Sequence, residues 1–344
     1  MWFSLGVTAF FLWLVLRDAP FADVARVIAG ANWALLLGIS VPAYVLVIYL
    51  RALRWKHLTA TIRSYSTAEL FRATAVGFMA NNLFPLRMGE VIRSWFLSRD
   101  AGGSKAAIFG TVVLERVIDM VTVIALALGV LALLGAGHDG VIARGALLLI
   151  PVALAPLAAL VLLEVAPDAV IGSVTRVAGW FSTRLAAFLD TMLRRFSVGL
   201  GALRRGPHQL WVVSYTLLIW LIASTAPLLA AFASVGVDFG SPLETVAAAW
   251  ITQAAIGMAI ALPSAPGFFG PYHYACKLAL ERFGIPPETA IALGTLIHAI
   301  FWVSLTGLGL VVLRVRRTSF GEIDDAASPS ENTSDGKAPL PKSR

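Results

Sequence analysis

Six apolar stretches along the chain are long enough to cross a lipid bilayer as helices. They occupy residues 2–16, 33–50, 106–134, 145–166, 210–231 and 288–313, and the first is shorter than the rest. The hydrocarbon core takes about 20 apolar helical residues, and tilt or local thinning absorbs a difference in length. The pattern therefore predicts an all-α polytopic membrane protein with about six full transmembrane helices.

Two further apolar stretches, residues 68–85 and 243–262, run directly into proline and glycine residues. The breaks are Pro85, Gly89, Pro263, Pro266, Gly267 and Gly270. Proline removes a backbone donor and clashes with the preceding helical turn, whereas glycine permits left-handed backbone conformations. Each stretch therefore predicts a helix, a break and a second helix rather than one continuous span.

Lysine and arginine residues mark three segments as cytoplasmic by the positive-inside rule. Arg51, Arg54, Lys56 and Arg63 follow the second span, several arginines lie between residues 166 and 210, and Arg314, Arg316 and Arg317 follow the last span. With these sides assigned, the segments 68–99 and 243–284 must each enter and leave the membrane on the same side. We expect two re-entrant helical hairpins, with both chain termini in the cytoplasm.

The order of these elements is span, span, hairpin, span, and the same order then recurs with inverted orientation. The two units cover residues 1–136 and 145–317, and the short sequences GTVVLE from Gly110 and GTLIHA from Gly294 occupy equivalent places in them. Inverted repeats whose broken helices meet near the membrane midplane are a transporter architecture. We expect a single transmembrane domain over residues 1–317, built as an inverted repeat.

Composition supports a membrane protein and excludes several other classes. The 344 residues are 58% hydrophobic and 14% charged, which is too apolar for a soluble domain of this length. The formal net charge of +7 comes from basic residues beside apolar spans, so membrane orientation explains it better than nucleic-acid binding. The single cysteine, Cys276, excludes an intrachain disulfide. Metal-ligand spacing, a Walker loop and a Rossmann fingerprint are absent from the sequence, so we expect no metal and no cofactor.

Three segments need separate interpretation. The first apolar stretch lacks a basic n-region and a small-residue cleavage pattern, so we expect a retained helix rather than a signal peptide. Residues 168–206 place aromatic side chains among spaced arginines, which is typical of an interfacial helix on an anionic cytoplasmic leaflet; a solvated basic linker is the alternative. Residues 318–344 are rich in Ser, Pro, Asp and Lys and predict a disordered cytoplasmic tail.

The candidate site consists of polar residues around the first break and in the span after it. They are Asn81, Asn82, Arg87, Glu90, Arg93, Glu115, Arg116 and Asp119. A charge at the centre of a span costs ~2.5 to 3.5 kcal/mol on insertion scales, so such residues are the first functional candidates. Arg87, Glu90 and Arg93 recur every three residues on one helical face. Because guanidinium groups bind phosphate in bidentate fashion, the hairpin predicts a phosphate-binding site.

Structural explanations of the same charges remain open. Arg87 and Arg93 would also suit ordinary positive-inside anchors, with Glu90 as a local ion partner. Glu115 and Asp119, four residues apart on one face, are expected to pair with Arg116, Arg87 or Arg93. The alternative function of that pairing is only to hold the hairpin to the helix.

The second hairpin contributes two further candidates for substrate binding or translocation. His273 lies just after the double break, and His298 follows one helix later. A lone histidine on an apolar helix is more often a packing residue than a ligand or a proton carrier. Both explanations stay open for each histidine.

Three motifs, NNLFPLRMGEVIR, VLERVIDM and LPSAPGFFGPYH, resemble the lysylphosphatidylglycerol synthase transmembrane-domain family, also called flippase-like membrane proteins. The resemblance covers nearly the whole chain, up to residue 317. It implies an integral membrane domain that handles or translocates a lipid, as in the N-terminal half of bifunctional aminoacyl-phosphatidylglycerol synthase/flippases. The matching positions are Asn81, Pro85, Arg87, Gly89, Glu90, Arg93, Glu115, Arg116, Asp119, Pro266, Gly267 and Gly270.

The sequence departs from the family pattern in two respects. Many members carry an acidic residue where this chain has His273, and an arginine near His298, so the lipid is left open. The soluble aminoacyl-transferring domain is not part of this sequence. The resemblance therefore implies no synthase activity, and we expect no enzyme.

The favoured hypothesis is a flippase-like transporter of the bacterial cytoplasmic membrane that binds and translocates a phospholipid or a polyprenyl-phosphate-linked lipid. The alternatives are a membrane enzyme or enzyme subunit acting on a lipid headgroup, and a membrane scaffold. The expected partner is a lipid with an anionic or phosphate-bearing headgroup, and no nucleic acid. A homo-oligomer and a separate lipid-modifying enzyme remain open as further partners.

Overall fold

The computed structural model describes residues 2–17, 19–84, 87–134, 140–201, 206–260, 265–319 and 321–323, and contains no strand among them. Its helices are α1 Trp2–Leu16, α2 Phe21–Gly30, α3 Trp33–Leu58, α4 Thr67–Leu83, α5 Gly89–Ala101, α6 Lys105–Leu134, α7 Gly140–Val165, α8 Pro167–Gly179, α9 Thr183–Leu200, α10 Gly206–Leu217, α11 Ala226–Val235, α12 Pro242–Ala259, α13 Pro271–Glu281 and α14 Pro287–Arg316. A π-helical turn, Leu218–Ala223, joins α10 to α11, and a 3₁₀ helix, Pro266–Phe268, precedes α13. The predicted class, an all-α polytopic membrane protein, is confirmed.

Each of the six predicted spans lies in a helix, namely α1, α3, α6, α7, α10 with α11, and α14. In the part of the chain that the structure describes, three continuous helices are long and apolar enough to cross a membrane: Trp33–Leu58, His208–Val235 and Pro287–Arg316. The number rises to five when α1 with α2, and α7 with α8, are each taken as one sharply bent span. The direction in which each helix crosses stays a prediction.

Polar side chains determine where several helices begin. Asn32 accepts a backbone N–H group in the first turn of α3, and Ser66 forms a capping box with Glu69 at the start of α4. The Ser182 and Ser241 side chains each accept a backbone N–H group in the first turn of α9 and of α12. These oxygens satisfy backbone donors that a helix start leaves free. The helix boundaries therefore follow from local sequence even in a chain this apolar.

The first broken segment forms an antiparallel helical hairpin of α4 and α5, as predicted. Gly77 on α4 lies against Gly89 and Arg93 on α5 so closely that a Cβ at Gly89 would overlap the Gly77 carbonyl oxygen. Gly89 is the first residue of α5, where the helix resumes after the break. The predicted break residue Pro85 lies outside the described residues.

The second broken segment forms a hairpin of α12 and α13, which pack against each other. At its tip, Gly267 and Gly270 have φ angles of 75° and 90°, in the region that side chains disfavour. Pro266 begins the 3₁₀ helix between the two arms. The predicted break residue Pro263 lies outside the described residues.

Each hairpin packs against the last helix of the other half of the chain. α4 lies on α14, and α12 lies on α6. At the first of these contacts, the Asn82 side chain donates to Thr306 Oγ1 at 3.0 Å. These contacts between α4 and α14 and between α12 and α6 join the two halves of the chain into one unit around a shared apolar core. The inverted orientation of the halves in the membrane stays a prediction.

The first described residues of the predicted tail contact the rest of the protein. Ile323 is fully buried, and Glu322 pairs with Arg99 at the end of α5. Residues 322 and 323 of the predicted tail thus contact the rest of the protein, and the disorder predicted for residues 318–344 stays a prediction. Residues 324–344 lie outside the described residues.

The open end of the first hairpin is linked to α14 by partly exposed ion pairs. Asp100 pairs with Arg72 at 3.3 Å and with Arg316, whose side chain is 39% exposed. Because solvent-exposed ion pairs contribute ~0 to 1 kcal/mol, we expect Asp100→Asn to lower the free energy of unfolding by ~1 kcal/mol or less. Thermal unfolding in detergent checks this, and a loss of several kcal/mol would show that the pairs carry the hairpin.

Candidate functional site

A cluster of ion pairs lies where α3, α5 and α6 meet beside the π turn. Asp119 of α6 accepts hydrogen bonds from Arg51 and Arg54 of α3, each at 2.7 Å. Trp220 Nε1 donates to the same carboxylate at 3.0 Å. Arg54 also donates to Thr216 Oγ1 of α10 at 3.0 Å. The carboxylate is thus held by three donors from two other parts of the fold.

Glu115, on the preceding turn of α6, forms the second half of the cluster. Arg93 of α5 donates to both of its oxygens at 3.0 and 3.2 Å, the bidentate geometry that the two groups favour. Arg51 and Arg54 lie 3.5 and 3.4 Å from the Glu115 Oε1 atom, and Arg116 contacts both carboxylates. The predicted pairing of the acidic residues with Arg93 and Arg116 is confirmed. Four arginines therefore surround two carboxylates.

Aromatic rings enclose the cluster. The Arg93 guanidinium lies 3.6 Å from the centroid of the Trp55 ring, and Trp55 Nε1 donates to Thr111 Oγ1 at 2.8 Å. Arg51 lies 5.4 Å from the Phe78 ring. An arginine over an aromatic face is stabilised most where water is excluded. The rings thus bind the arginines and keep the local dielectric low.

Burial makes the charges of this cluster interact strongly. The side chains of Arg54 and Glu115 have no exposed surface, and that of Arg93 is 3% exposed. In such a medium each pair is strong and a missing partner is costly. Among the described residues, the Nε atoms of Arg51, Arg54, Arg93 and Arg116 nevertheless have no hydrogen-bond partner, and Nη2 of Arg54 has only the ion-pair contact with Glu115 at 3.4 Å. The cluster therefore holds more N–H donors than its carboxylates engage.

The prediction that Arg51 and Arg54 are cytoplasmic loop anchors is wrong. α3 does not end near residue 50 but continues to Leu58, and both arginines are buried in it. The helix continues because no proline or glycine interrupts residues 50–58. Two arginines three residues apart share one face, and so do two acidic residues four apart on α6. This matched spacing is the feature of the sequence from which the pairing of the two arginines with the two carboxylates could be predicted.

The π turn brings Trp220 to the cluster. Its carbonyl oxygen accepts hydrogen bonds from Gln253 Nε2 at 2.8 Å and from Thr225 Oγ1 at 3.0 Å. A π turn widens a helix and is frequent at functional sites. Sequence reasoning missed Trp220, because the apolar run around it carries no signal for the turn.

The two asparagines at the first hairpin are occupied by the protein itself. Asn81 accepts the Gly89 N–H group at 2.9 Å and lies 3.4 Å from the Glu90 carboxylate. Asn82 donates to Thr306 on α14. These bonds close the hairpin and attach it to the other half of the chain. The amides therefore position the site rather than present free donors at its tip.

Arg87 differs from the arginines of the cluster. Among the described residues it forms no hydrogen bond or ion pair, and its guanidinium lies 6.0 Å from the Phe268 ring of the second hairpin. Both residues have positive φ angles, 56° and 60°, which are uncommon without glycine. Glu90 lies close enough to Arg87 and Arg116 to interact through its charge. The two hairpin tips therefore approach each other at Arg87 and Phe268.

His273 and His298 lie together at the second hairpin. Their ring centroids are 4.8 Å apart, and His298 Nε2 donates to the Gly267 carbonyl oxygen at 2.7 Å. His298 also stacks on Tyr272 with centroids 4.4 Å apart. Within the described residues, neither histidine contacts the arginines or carboxylates of the cluster. His298 thus fixes the hairpin tip, and the cluster does not include either residue.

These observations define a membrane-embedded α-helical protein whose two broken hairpins meet beside a buried arginine–carboxylate cluster. The family model described as the lysylphosphatidylglycerol synthase TM region matches residues 1–309, and the chain belongs to this family. Membership confirms the resemblance of the sequence motifs and indicates a lipid-related function in a membrane. No curated protein and no solved structure matches the chain.

Proposed function

We propose that this protein is a flippase-like transporter that binds and translocates a phosphate-bearing lipid across the bacterial cytoplasmic membrane. The cargo class comprises phospholipids and polyprenyl-phosphate-linked lipids. The observation that carries the proposal is an excess of positive charge, buried or partly buried, at the hairpin and the helices around it.

The charges at this place do not balance. The arginines are Arg51, Arg54, Arg87, Arg93 and Arg116, and the carboxylates are Glu90, Glu115 and Asp119, which leaves an excess of two positive charges. Buried charge without compensation is unfavourable in a membrane protein. A phosphate group supplies negative charge and several acceptor oxygens, and guanidinium groups bind it with good geometry. An anionic headgroup would therefore complete the site.

The same geometry argues against an enzyme that uses these carboxylates as bases. Each of the two is held by at least three arginines, so its oxygens are engaged and its negative charge is strongly favoured. A general base must instead accept a proton readily in the course of the reaction. We propose that Glu115 and Asp119 position the arginines and balance them when no lipid is bound.

The proposed transport step uses the contact between the two hairpin tips. Arg87 and Phe268 meet there, and each hairpin rests on the last helix of the other half. Movement of one half against the other would open this contact on alternate sides, as in transporters built from inverted repeats. In this proposal the headgroup moves along the arginines while the acyl chains stay in lipid. The chain termini are cytoplasmic, as the positive-inside rule indicates.

Arg87 gives the most direct test, because among the described residues it forms no hydrogen bond or ion pair, and its removal affects only the nearby charge of Glu90. We expect Arg87→Ala to fold normally yet to lose ~10-fold or more of its affinity for phosphate-bearing lipid, the loss that corresponds to one charge-assisted hydrogen bond. Native mass spectrometry of co-purified lipid and a headgroup-accessibility assay in proteoliposomes measure binding and transport.

Arg99→Ala is the matched control, since Arg99 is 40% exposed and pairs with Glu322 away from the cluster. Bulk membrane lipid in both wild type and Arg87→Ala, or full transport by a well-folded Arg87→Ala protein, would refute the proposed site. Release of a modified lipid in detergent, where no second compartment exists, would favour the enzyme instead.

A further inference from the structure

The helices α8 and α9 form a hairpin whose exposed tip is aromatic. The two helices pack against each other, and the turn between them carries Trp180 and Phe181. Their side chains are 77% and 80% exposed. Large aromatic side chains are normally buried, because burial removes much apolar surface from water. Two adjacent exposed rings at one tip therefore mark an interaction surface.

An exposed apolar stripe continues from this tip along α9. Leu185, Phe188 and Met192 are 43%, 62% and 37% exposed. Their spacing of three and four residues places them on one face of the helix. The opposite end of α9 is fixed to α6, because a Cβ at Gly199 would overlap the Ala107 carbonyl oxygen. The hairpin is therefore an arm with an anchored end and an apolar outer face.

The unpaired arginines of α9 border this stripe, and the paired one does not. At ~100° of rotation per residue, Arg184 and Arg195 lie beside Phe188 on the helical wheel, whereas Arg194 lies on the other side. Arg194 pairs with Asp168 at 2.8 Å and with Asp190 at 3.1 Å. Neither Arg184 nor Arg195 forms an ion pair or a hydrogen bond with the described residues. The border of the stripe therefore carries free positive charge.

The bend between α7 and α8 turns the arm away from the axis of α7. The segment Leu154–Val165 of α7 meets α8 at 109°. If α7 crosses the membrane, α8 leaves it nearly at right angles and runs along the surface. Amphipathic helices with arginine beside an apolar stripe lie in this way at the boundary between headgroups and acyl chains.

We infer that the α8–α9 arm docks on an anionic lipid surface. The apolar stripe and the Trp180–Phe181 tip enter the headgroup boundary, while Arg184 and Arg195 contact anionic headgroups. A free positive border favours such a surface over a second protein, since lipid phosphates attract juxtamembrane basic residues of any spacing. This contact is separate from the transported lipid and does not depend on the proposed transport.

Spin labels on two neighbouring positions of α9 test the inference. Phe188→Cys places a label on the stripe, and Ala187→Cys places one on an exposed position off it, both in a full-length Cys276→Ala background. The protein is placed in nanodiscs of phosphatidylcholine with or without phosphatidylglycerol. Collision rates with oxygen and with a water-soluble nickel complex then report the depth of each label.

We expect the ratio of oxygen to nickel collision rates to be at least ~2-fold higher for the label at position 188 than for the label at position 187, as for a side chain below the headgroups. Removal of phosphatidylglycerol, or Arg184→Gln with Arg195→Gln, should reduce this difference, whereas Arg194→Gln should not. Equal nickel access at both positions would overturn the inference, and so would shielding from both agents, which indicates contact with another protein. If the label at position 188 lies at the same depth with and without phosphatidylglycerol, the arm does not dock on an anionic surface.

Discussion

Asp119→Ala is expected to lower the free energy of unfolding by ~3 to 5 kcal/mol, the usual cost of breaking a buried ion pair from one side. Arg51 and Arg54 both donate to Asp119 at 2.7 Å, and Trp220 donates to it as well. Removal of the carboxylate leaves these buried donors without an acceptor and raises the excess of positive charge. Thermal unfolding followed by size-exclusion fluorescence in detergent measures the loss.

Asp23→Ala is the matched control for this prediction. Asp23 pairs with Arg26 at an exposed place, with side chains 45% and 77% exposed, so its removal should change stability by less than ~1 kcal/mol. Adding Arg54→Met to Asp119→Ala should restore part of the loss, since two residues of one network are not additive. If Asp119→Ala unfolds no earlier than Asp23→Ala, the cluster does not stabilise the fold.

Gly89→Ala is expected to disrupt the first hairpin and, with it, lipid binding. A Cβ at this position would overlap the Gly77 carbonyl oxygen and lie 2.5 Å from Asn81 Oδ1. Because the obstacle is backbone, α5 must move away from α4, at a cost of ~1 to 3 kcal/mol for overpacking. Arg93 moves with α5 and loses its bidentate contact with Glu115. We therefore expect both a lower unfolding temperature and a loss of co-purified lipid.

Gly129→Ala on α6 separates this effect from that of any glycine replacement. Apart from the neighbouring backbone of α6 itself, no atom of the described residues lies within 4 Å of a Cβ at Gly129. Because alanine favours a helix over glycine by ~1 kcal/mol, this variant should be neutral or slightly more stable. A Gly89→Ala protein with wild-type stability and wild-type lipid content would show that the close contact of α4 and α5 is dispensable.

The broken segments and the acidic residues could be identified from sequence because each breaks a strong local pattern. Prolines and glycines interrupt apolar runs at both hairpins, and Glu115 and Asp119 stand out in α6 because charge is rare in such a helix. Their partners were harder to identify. Arg51 and Arg54 resemble the flanking arginines that end many spans, and only the continuation of α3 shows that they are buried.

Other parts of the site depend on contacts between residues far apart in the chain. Trp220 reaches Asp119 through a π turn, and Phe268 approaches Arg87 from the other half of the molecule. Periodicity carries little information about such contacts, because most faces of a membrane helix are apolar. His273 and His298 illustrate the reverse: the sequence makes both of them site candidates, but their described contacts are with each other and with the second hairpin.

The packing of α4 on α14 has a consequence for the synthesis of the protein. The ribosome completes the first hairpin long before Thr306, the partner of Asn82, which lies 224 residues later in the chain. Until α14 is synthesised and inserted, the Asn82 amide lacks this acceptor and must hydrogen-bond to water or to another protein instead. Domains with such distant contacts assemble late and expose their surfaces meanwhile. A nascent chain that stops before α14 would leave the hairpin exposed to quality-control proteases.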